Sequence, residues 1–242
     1  PLEQFEVTSL IGLNAPLFGF LNITLTNLAL YAMIVLFLVS ALHFMGNNNN
    51  KLLPSKWSIG LESSFASINS MVREQIGRNN EIYLPFIYSF FFFVLIANLT
   101  GNVPYSFTIT TSIVVSLGLS FTIFIGVTIL GLSIHRLHFF SFFIPSGTPL
   151  GLVPLLTLIE LVSYVARAFS LGIRLFANLV AGHTLMKIIS TLLYQLFTSS
   201  LLVAALALIP FALFLAIMSL ELAVSFIQAY VITILTCSYI KD

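Results

Sequence analysis

Apolar residues run along this chain in long blocks, and the short polar intervals between the blocks mark out its elements. From about Ile23 to Met45 the run holds no charged residue and one histidine, His43. That is the roughly 20 apolar residues a membrane-spanning helix requires. Residues 53–78 follow a different pattern, with Lys56, Glu62, Arg73, Glu74 and Arg78 spaced among Trp57, Ile59, Leu61, Phe65, Ile68, Met71 and Val72. The pattern predicts an amphipathic helix lying on a membrane surface. Residues 82–134 read as a hairpin of two spans, interrupted by Asn98, Gly101, Asn102 and Pro104 and closed by His135, Arg136 and His138. Pro145, Gly147, Pro149, Gly151 and Pro154 then crowd into ten residues, a density that no regular element tolerates.

Residues 155–240 form two apolar stretches of nearly forty residues each, with Pro210 as their one strong breaker. A helix of about 36 residues is about 54 Å long, whereas the hydrocarbon core is about 30 Å thick. An ordinary tilt of about 20° does not absorb the difference. Either each helix breaks, as at Pro210, or both lie steeply slanted in the bilayer as a long hairpin turning near Thr198–Ser200. We favour the slanted hairpin.

Composition narrows the class. The 242 residues are 59% hydrophobic and 7% charged, with a mean hydropathy of +1.08, against roughly 25% charged in soluble domains. A soluble domain is excluded, and the chain is expected to be a single polytopic all-α membrane domain over residues 1–242. A net charge of +1 without clustered Lys and Arg excludes nucleic acid as a partner. The lone Cys237 has no disulfide or ligand-spaced partner, and HRLH at His135–His138 reads as interfacial rather than metal-binding. Phosphate loops, nucleophile–base pairs and zinc motifs are missing. No cofactor or metal is expected, and the chain is expected to perform no bond chemistry by itself. The segment Pro1–Asn22 is neither basic nor a signal core, so the chain reads as a processed mature form. Four of the nine cations lie between Lys51 and Arg78, while the tail before the first span carries Glu3 and Glu6. The positive-inside rule then places the surface segment inside and the amino terminus outside.

The candidate chemistry lies in the long hairpin. Glu160, Arg167, Arg174 and Asn178 fall within an arc of about 40° at 100° per residue, so they share one helix face. Ionisable groups at membrane depth mark an ion or proton pathway by default, and arginine, which does not release its proton, acts there as a fixed charge. Glu160 with Arg167 also admits a structural reading as an ion pair. On the second stretch Glu221 and Gln228 stand seven residues apart with Ser225 between them. A turn near Ser200 sets Arg174 near Gln228 and His183 near Glu221 to within about a helical turn. The same angles place His183 opposite Arg174, so both pairs are tight only if the helices bend or wind around one another. His183 with Glu221 reads either as a proton relay or as a buried hydrogen-bonded pair. Asn98 and Asn102 read equally as cavity lining and as span ends.

The run Ser170-Leu171-Gly172-Ile173-Arg174-Leu175-Phe176-Ala177-Asn178, followed by Ala181-Gly182-His183, resembles the signature of the subunit a (subunit 6) family of rotary F-type ATP synthases. Pro145–Leu150, Asn102-Val103-Pro104-Tyr105, Glu221 and Gln228 extend the likeness over essentially the whole length. His183 with Glu221 is similar to the mitochondrial arrangement, and the asparagine run and amino-terminal tail look fungal. Ile173 and Ala177 stand where the family commonly has leucine and glycine or serine.

The resemblance implies a stator subunit of the Fo motor in the mitochondrial inner membrane, with the amino terminus in the intermembrane space and the carboxyl terminus toward the matrix. It implies as partners a ring of subunit c, the peripheral stalk, other Fo membrane subunits, lipid, protons and channel water. Arg174 would face the ring carboxylate, and His183 and Glu221 would line the half-channel from the intermembrane space. Glu160 would line the exit to the matrix, and Arg167, Asn178 and Gln228 would support Arg174. Two rivals are a self-contained transporter, against which the lack of an inverted repeat speaks, and a structural subunit whose charges only hold helices together.

Overall fold

The computed structural model describes residues 2–17, 21–47, 53–103, 106–136, 152–199 and 207–241. Pro104-Tyr105, His138, the proline-rich loop from Pro145 through Gly151, most of the asparagine run and the proposed turn residue Ser200 lie outside them. The described chain forms two strands, β1 (Ser9–Leu17) and β2 (Leu21–Thr26), and six α-helices. These are α1 (Asn27–Gly46), α2 (Lys56–Gln75), α3 (Leu84–Gly101), α4 (Ile113–His135), α5 (Val153–Ser199) and α6 (Leu208–Lys241). All but α2 are long and apolar enough to cross a membrane. The fold is that of an all-α membrane protein, with one small antiparallel hairpin before the first span.

Two compact units make up the fold, one of residues 1–111 with 178–242 and one of residues 112–177. In the first, Thr26 caps α1 by accepting from the Ala29 amide at 3.3 Å, and Ser55 caps α2 by accepting from the Ser58 amide at 3.2 Å. These side chains satisfy orphan donors of the first helical turn. The core of this unit gathers Ile68, Met71 and Val72 of α2 with Ile87 and Phe92 of α3 and Cys237 of α6. The apolar stripe of α2 is therefore split, since Ile68, Met71 and Val72 are buried in protein while Trp57, Ile59 and Phe65 stay exposed. His43 joins α1 to α3 through an Nε2 contact with the Tyr88 hydroxyl at 3.2 Å and an edge contact on Phe92.

The second unit is α4 against the first part of α5. Phe121 meets Phe169 edge-on, and Phe124 and Thr128 both engage Tyr164, Thr128 through its hydroxyl at 3.0 Å. Gly172 allows the closest approach, because a Cβ there would lie 2.6 Å from Ser120 Oγ and 3.1 Å from the Leu117 Cα. Small residues of this kind are what let helices in lipid pack backbone to backbone.

Both long helices are continuous over their described residues. At 47 residues α5 is about 70 Å long at 1.5 Å per residue, and it passes through Thr198 without turning. Pro210 breaks nothing, because it sits in the first turn of α6, where the missing N–H has no intrahelical acceptor to lose. Phe211 makes the first helical bond there, to the Ala207 carbonyl at 3.0 Å.

Candidate functional site

The polar residues of the first unit converge where α3 and the second part of α5 meet α6. Glu221 is 4% exposed, and its carboxylate lies flat on Gly182 of α5. A Cβ at Gly182 would stand 2.8 Å from Glu221 Oε1 and 3.0 Å from its Cδ. Glycine at this position thus seats the carboxylate on the α5 backbone. One residue further, His183 Nδ1 comes within 3.6 Å of the same Oε1, an ion-pair distance just beyond hydrogen bonding. About two turns further along α6, Asn178 Nδ2 donates to Gln228 Oε1 at 2.9 Å.

These two contacts resolve the conflict over facing. Asn178 and His183 are about 140° apart around α5, whereas Glu221 and Gln228 are only about 20° apart around α6. The line between the two α5 residues is occupied by buried Leu179 and by Gly182. Asn178 and His183 are therefore the two shoulders of one interface rather than members of opposite faces. The register was expected to within about a turn: His183 meets Glu221, and Gln228 takes its bond from Asn178, one turn along α5 from Arg174.

Behind Glu221, α6 is tied to α3. Ser225 donates to the Glu221 carbonyl at 2.9 Å and accepts from Asn102 Nδ2 at 2.9 Å. Asn98 is fully buried, donating from Nδ2 to the Ser225 carbonyl at 3.5 Å and accepting from the Thr110 hydroxyl at 3.2 Å. The two asparagines thus divide the two roles the sequence left open. Asn98 is spent on holding helices together, while Asn102 also lines a cavity of roughly 780 Å³. Gln4, Tyr31, Ser106, His183 and Lys187 add polar groups to that wall. Of these, Lys187 carried a signal in the sequence, since it follows His183 at the i+4 spacing that shares a helix face.

Several buried polar atoms at or beside this wall have no hydrogen-bond partner among the described residues, namely His183 Nε2, both Glu221 carboxylate oxygens, Asn102 Oδ1 and Gln228 Nε2. Groups of this kind carry a desolvation cost of about 1–3 kcal/mol each unless something hydrates them.

The second unit holds the rest of the predicted set. Arg167 Nη2 approaches Glu160 Oε1 at 3.6 Å, with both side chains about two-fifths exposed. Arg174 is exposed near the middle of α5, and no other described residue forms a hydrogen bond or ion pair with its guanidinium.

The sequence profile described as "ATP synthase A chain" matches residues 28–241. The chain belongs to that family. Among relatives in the ATP synthase A chain family, a protein of Mycosarcoma maydis named ATP synthase subunit a is 67% identical over 242 residues, covering all of this chain and 95% of its own length. Proteins of the same name from Emericella nidulans and Kluyveromyces lactis are 48% and 47% identical, covering all of this chain and 94% and 95% of their own lengths. The profile leaves out residues 1–27, the amino-terminal segment up to the first residue of α1, and Asp242.

Proposed function

We propose that the chain is the proton-translocating stator subunit of the Fo motor of a mitochondrial ATP synthase, in which proton flow is coupled to rotation of a ring of subunit c and so to ATP synthesis. Membership of the ATP synthase A chain family and the names of its relatives support the class. The observation that carries the mechanism is Arg174. An arginine that stands exposed amid apolar residues, with no hydrogen-bond or ion-pair partner among the described ones, costs several kcal/mol in lipid, so the position calls for a partner surface bearing negative charge. A ring carboxylate supplies it.

The remaining residues fall into roles around that charge. Protons reach His183 and Glu221 from the intermembrane space through the cavity walled by Asn102, His183 and Lys187. The imidazole accepts and releases the proton beside the carboxylate, and the unpartnered His183 Nε2 and Glu221 oxygens bind the water that completes the path. From Glu221 the proton passes to the ring. Arg174 draws in the deprotonated ring carboxylate and, being unable to unload its own proton, blocks direct leakage between the two half-channels. Glu160, held by Arg167, faces the exit to the matrix, and the Asn178–Gln228 bond fixes the α5–α6 register next to the arginine. The peripheral stalk and other Fo membrane subunits hold the chain still against the ring. The chain lies in the inner membrane with its amino terminus in the intermembrane space and its carboxyl terminus toward the matrix.

The test is ATP-driven acidification of vesicles bearing the complete complex, comparing the native chain with Arg174→Ala and checking assembly on a native gel. Assembly with abolished pumping supports the gate. Assembly with pumping intact reduces the hairpin to scaffold.

A further inference from the structure

The residues before α1 are not idle. A short 3-10 helix, Leu2–Phe5, sets the Phe5 ring edge-on against the imidazole of His183, with centroids 6.3 Å apart and planes at 64°. The neighbouring Gln4 lines the same cavity as His183. Among the described residues, the side-chain hydrogen bonds that tie this segment to α1 run through Asn27. Asn27 Nδ2 donates to the Glu6 carbonyl at 3.1 Å, and Asn27 Oδ1 accepts from the Thr8 amide at 3.3 Å. The Asn27 amide in turn donates to the Thr8 carbonyl at 3.1 Å.

His183 needs such a support. Its Nδ1 stands 3.6 Å from Glu221 Oε1, too far for a hydrogen bond to lock the ring, and its Nε2 has no hydrogen-bond partner among the described residues. On the side toward α3, Gly101 offers no side chain, and a Cβ there would lie 3.7 Å from Nε2. The ring's orientation therefore depends on packing, and its aromatic neighbour among the described residues is Phe5. We infer that Phe5 is a positioning residue for proton transfer: it holds the His183 ring with Nδ1 toward Glu221 and Nε2 toward the cavity. The amino-terminal segment is thereby a working wall of the intake path. The inference rests on the His183–Glu221 reading above.

The titratable groups around His183 are Glu221 of α6, which faces the ring, and Lys187 of α5 and Tyr31 of α1, which line the cavity with it, while α3 contributes the neutral Asn102. Loss of the Phe5 ring lets the imidazole turn and changes how it shares protons with these groups, so the pH profile shifts as well as the rate. Two variants separate the ring from its anchor. Phe5→Ala removes the ring, and Asn27→Ala leaves the ring in the chain but releases the segment.

Proton pumping by vesicles bearing the whole complex is measured across pH 5.5 to 8.5, as roughly half-unit steps around the histidine range, and expressed per assembled complex. Phe5→Ala is expected to lower the rate about three- to tenfold and displace the profile, Asn27→Ala to do the same to a lesser degree, and Phe5→Leu to restore most of the rate. Native rate and profile per complex in both alanine variants, whatever the yield, overturn the inference. His183→Ala in parallel separates the two claims: if it is inactive while Phe5→Ala is normal, only the positioning role falls. If His183→Ala also pumps normally, the relay falls with it.

Discussion

Asn178 and Gln228 share one hydrogen bond, and it orients the glutamine: with Oε1 engaged by Asn178, Gln228 Nε2 is left buried and unpartnered on the other side. The bond joins α5 to α6 one turn from Arg174. Replacing either residue by leucine is expected to lower pumping severalfold without preventing assembly. A double-mutant cycle read from denaturation of the complex should return a coupling of about 0.6 kcal/mol, and no more than about 1.7, as for hydrogen bonds between helices in lipid. Strict additivity would show that the bond contributes nothing.

Glu221→Gln keeps the shape that rests on Gly182 and removes the charge. Proton transport is expected to fall about a hundredfold or more, the scale of a lost proton-transfer group, with assembly unchanged. Combining it with His183→Ala should add little, because both act on one path. Multiplying losses in the double variant would place the two residues on separate routes.

The glycines of the two halves predict opposite outcomes. Gly172→Ala puts a methyl against the Leu117 backbone and should cost about 1–3 kcal/mol by overpacking, seen as reduced assembled complex on a native gel. Gly118→Ala has open space around it and should be neutral. Gly182→Ala strikes the Glu221 carboxylate instead, so its defect should appear in transport more than in assembly. Equal yields for Gly172→Ala and Gly118→Ala would refute the close helix contact.

Glu160 and Arg167 can be exchanged. The double variant Glu160→Arg with Arg167→Glu preserves a pair of opposite charges but moves the carboxylate two turns along α5. A structural pair should tolerate the exchange with native pumping. An exit group should not, and we expect assembly to persist while pumping drops well below the native rate.

Much of this was legible before any coordinates. The apolar blocks located the five long helices because spans in lipid are read from length and composition alone. The seven-residue spacing of Glu221 and Gln228 marked one buried face of α6, and the same spacing of Glu160 and Arg167 brings their side chains within 3.6 Å on α5. Pairing across the hairpin was legible only to a turn, because seating Glu221 on Gly182 depends on a missing side chain that carries no hydropathy signal. The β1–β2 hairpin was invisible for a related reason. Its Gly12, Asn14, Pro16 and Asn22 disrupt strict alternation, and the strands are held by backbone bonds rather than by a hydrophobic pattern. Phe5 was hidden among apolar residues because only proximity to His183 distinguishes it.

The uncovered Arg174 also bears on the life of the chain before assembly. Lipid accommodates an unpaired guanidinium poorly, and the described part of the chain offers it nothing to bind. A copy in lipid carries that cost in full for as long as its guanidinium lies uncovered, so the same side chain that makes the subunit useful to a negatively charged surface makes it expensive to keep alone.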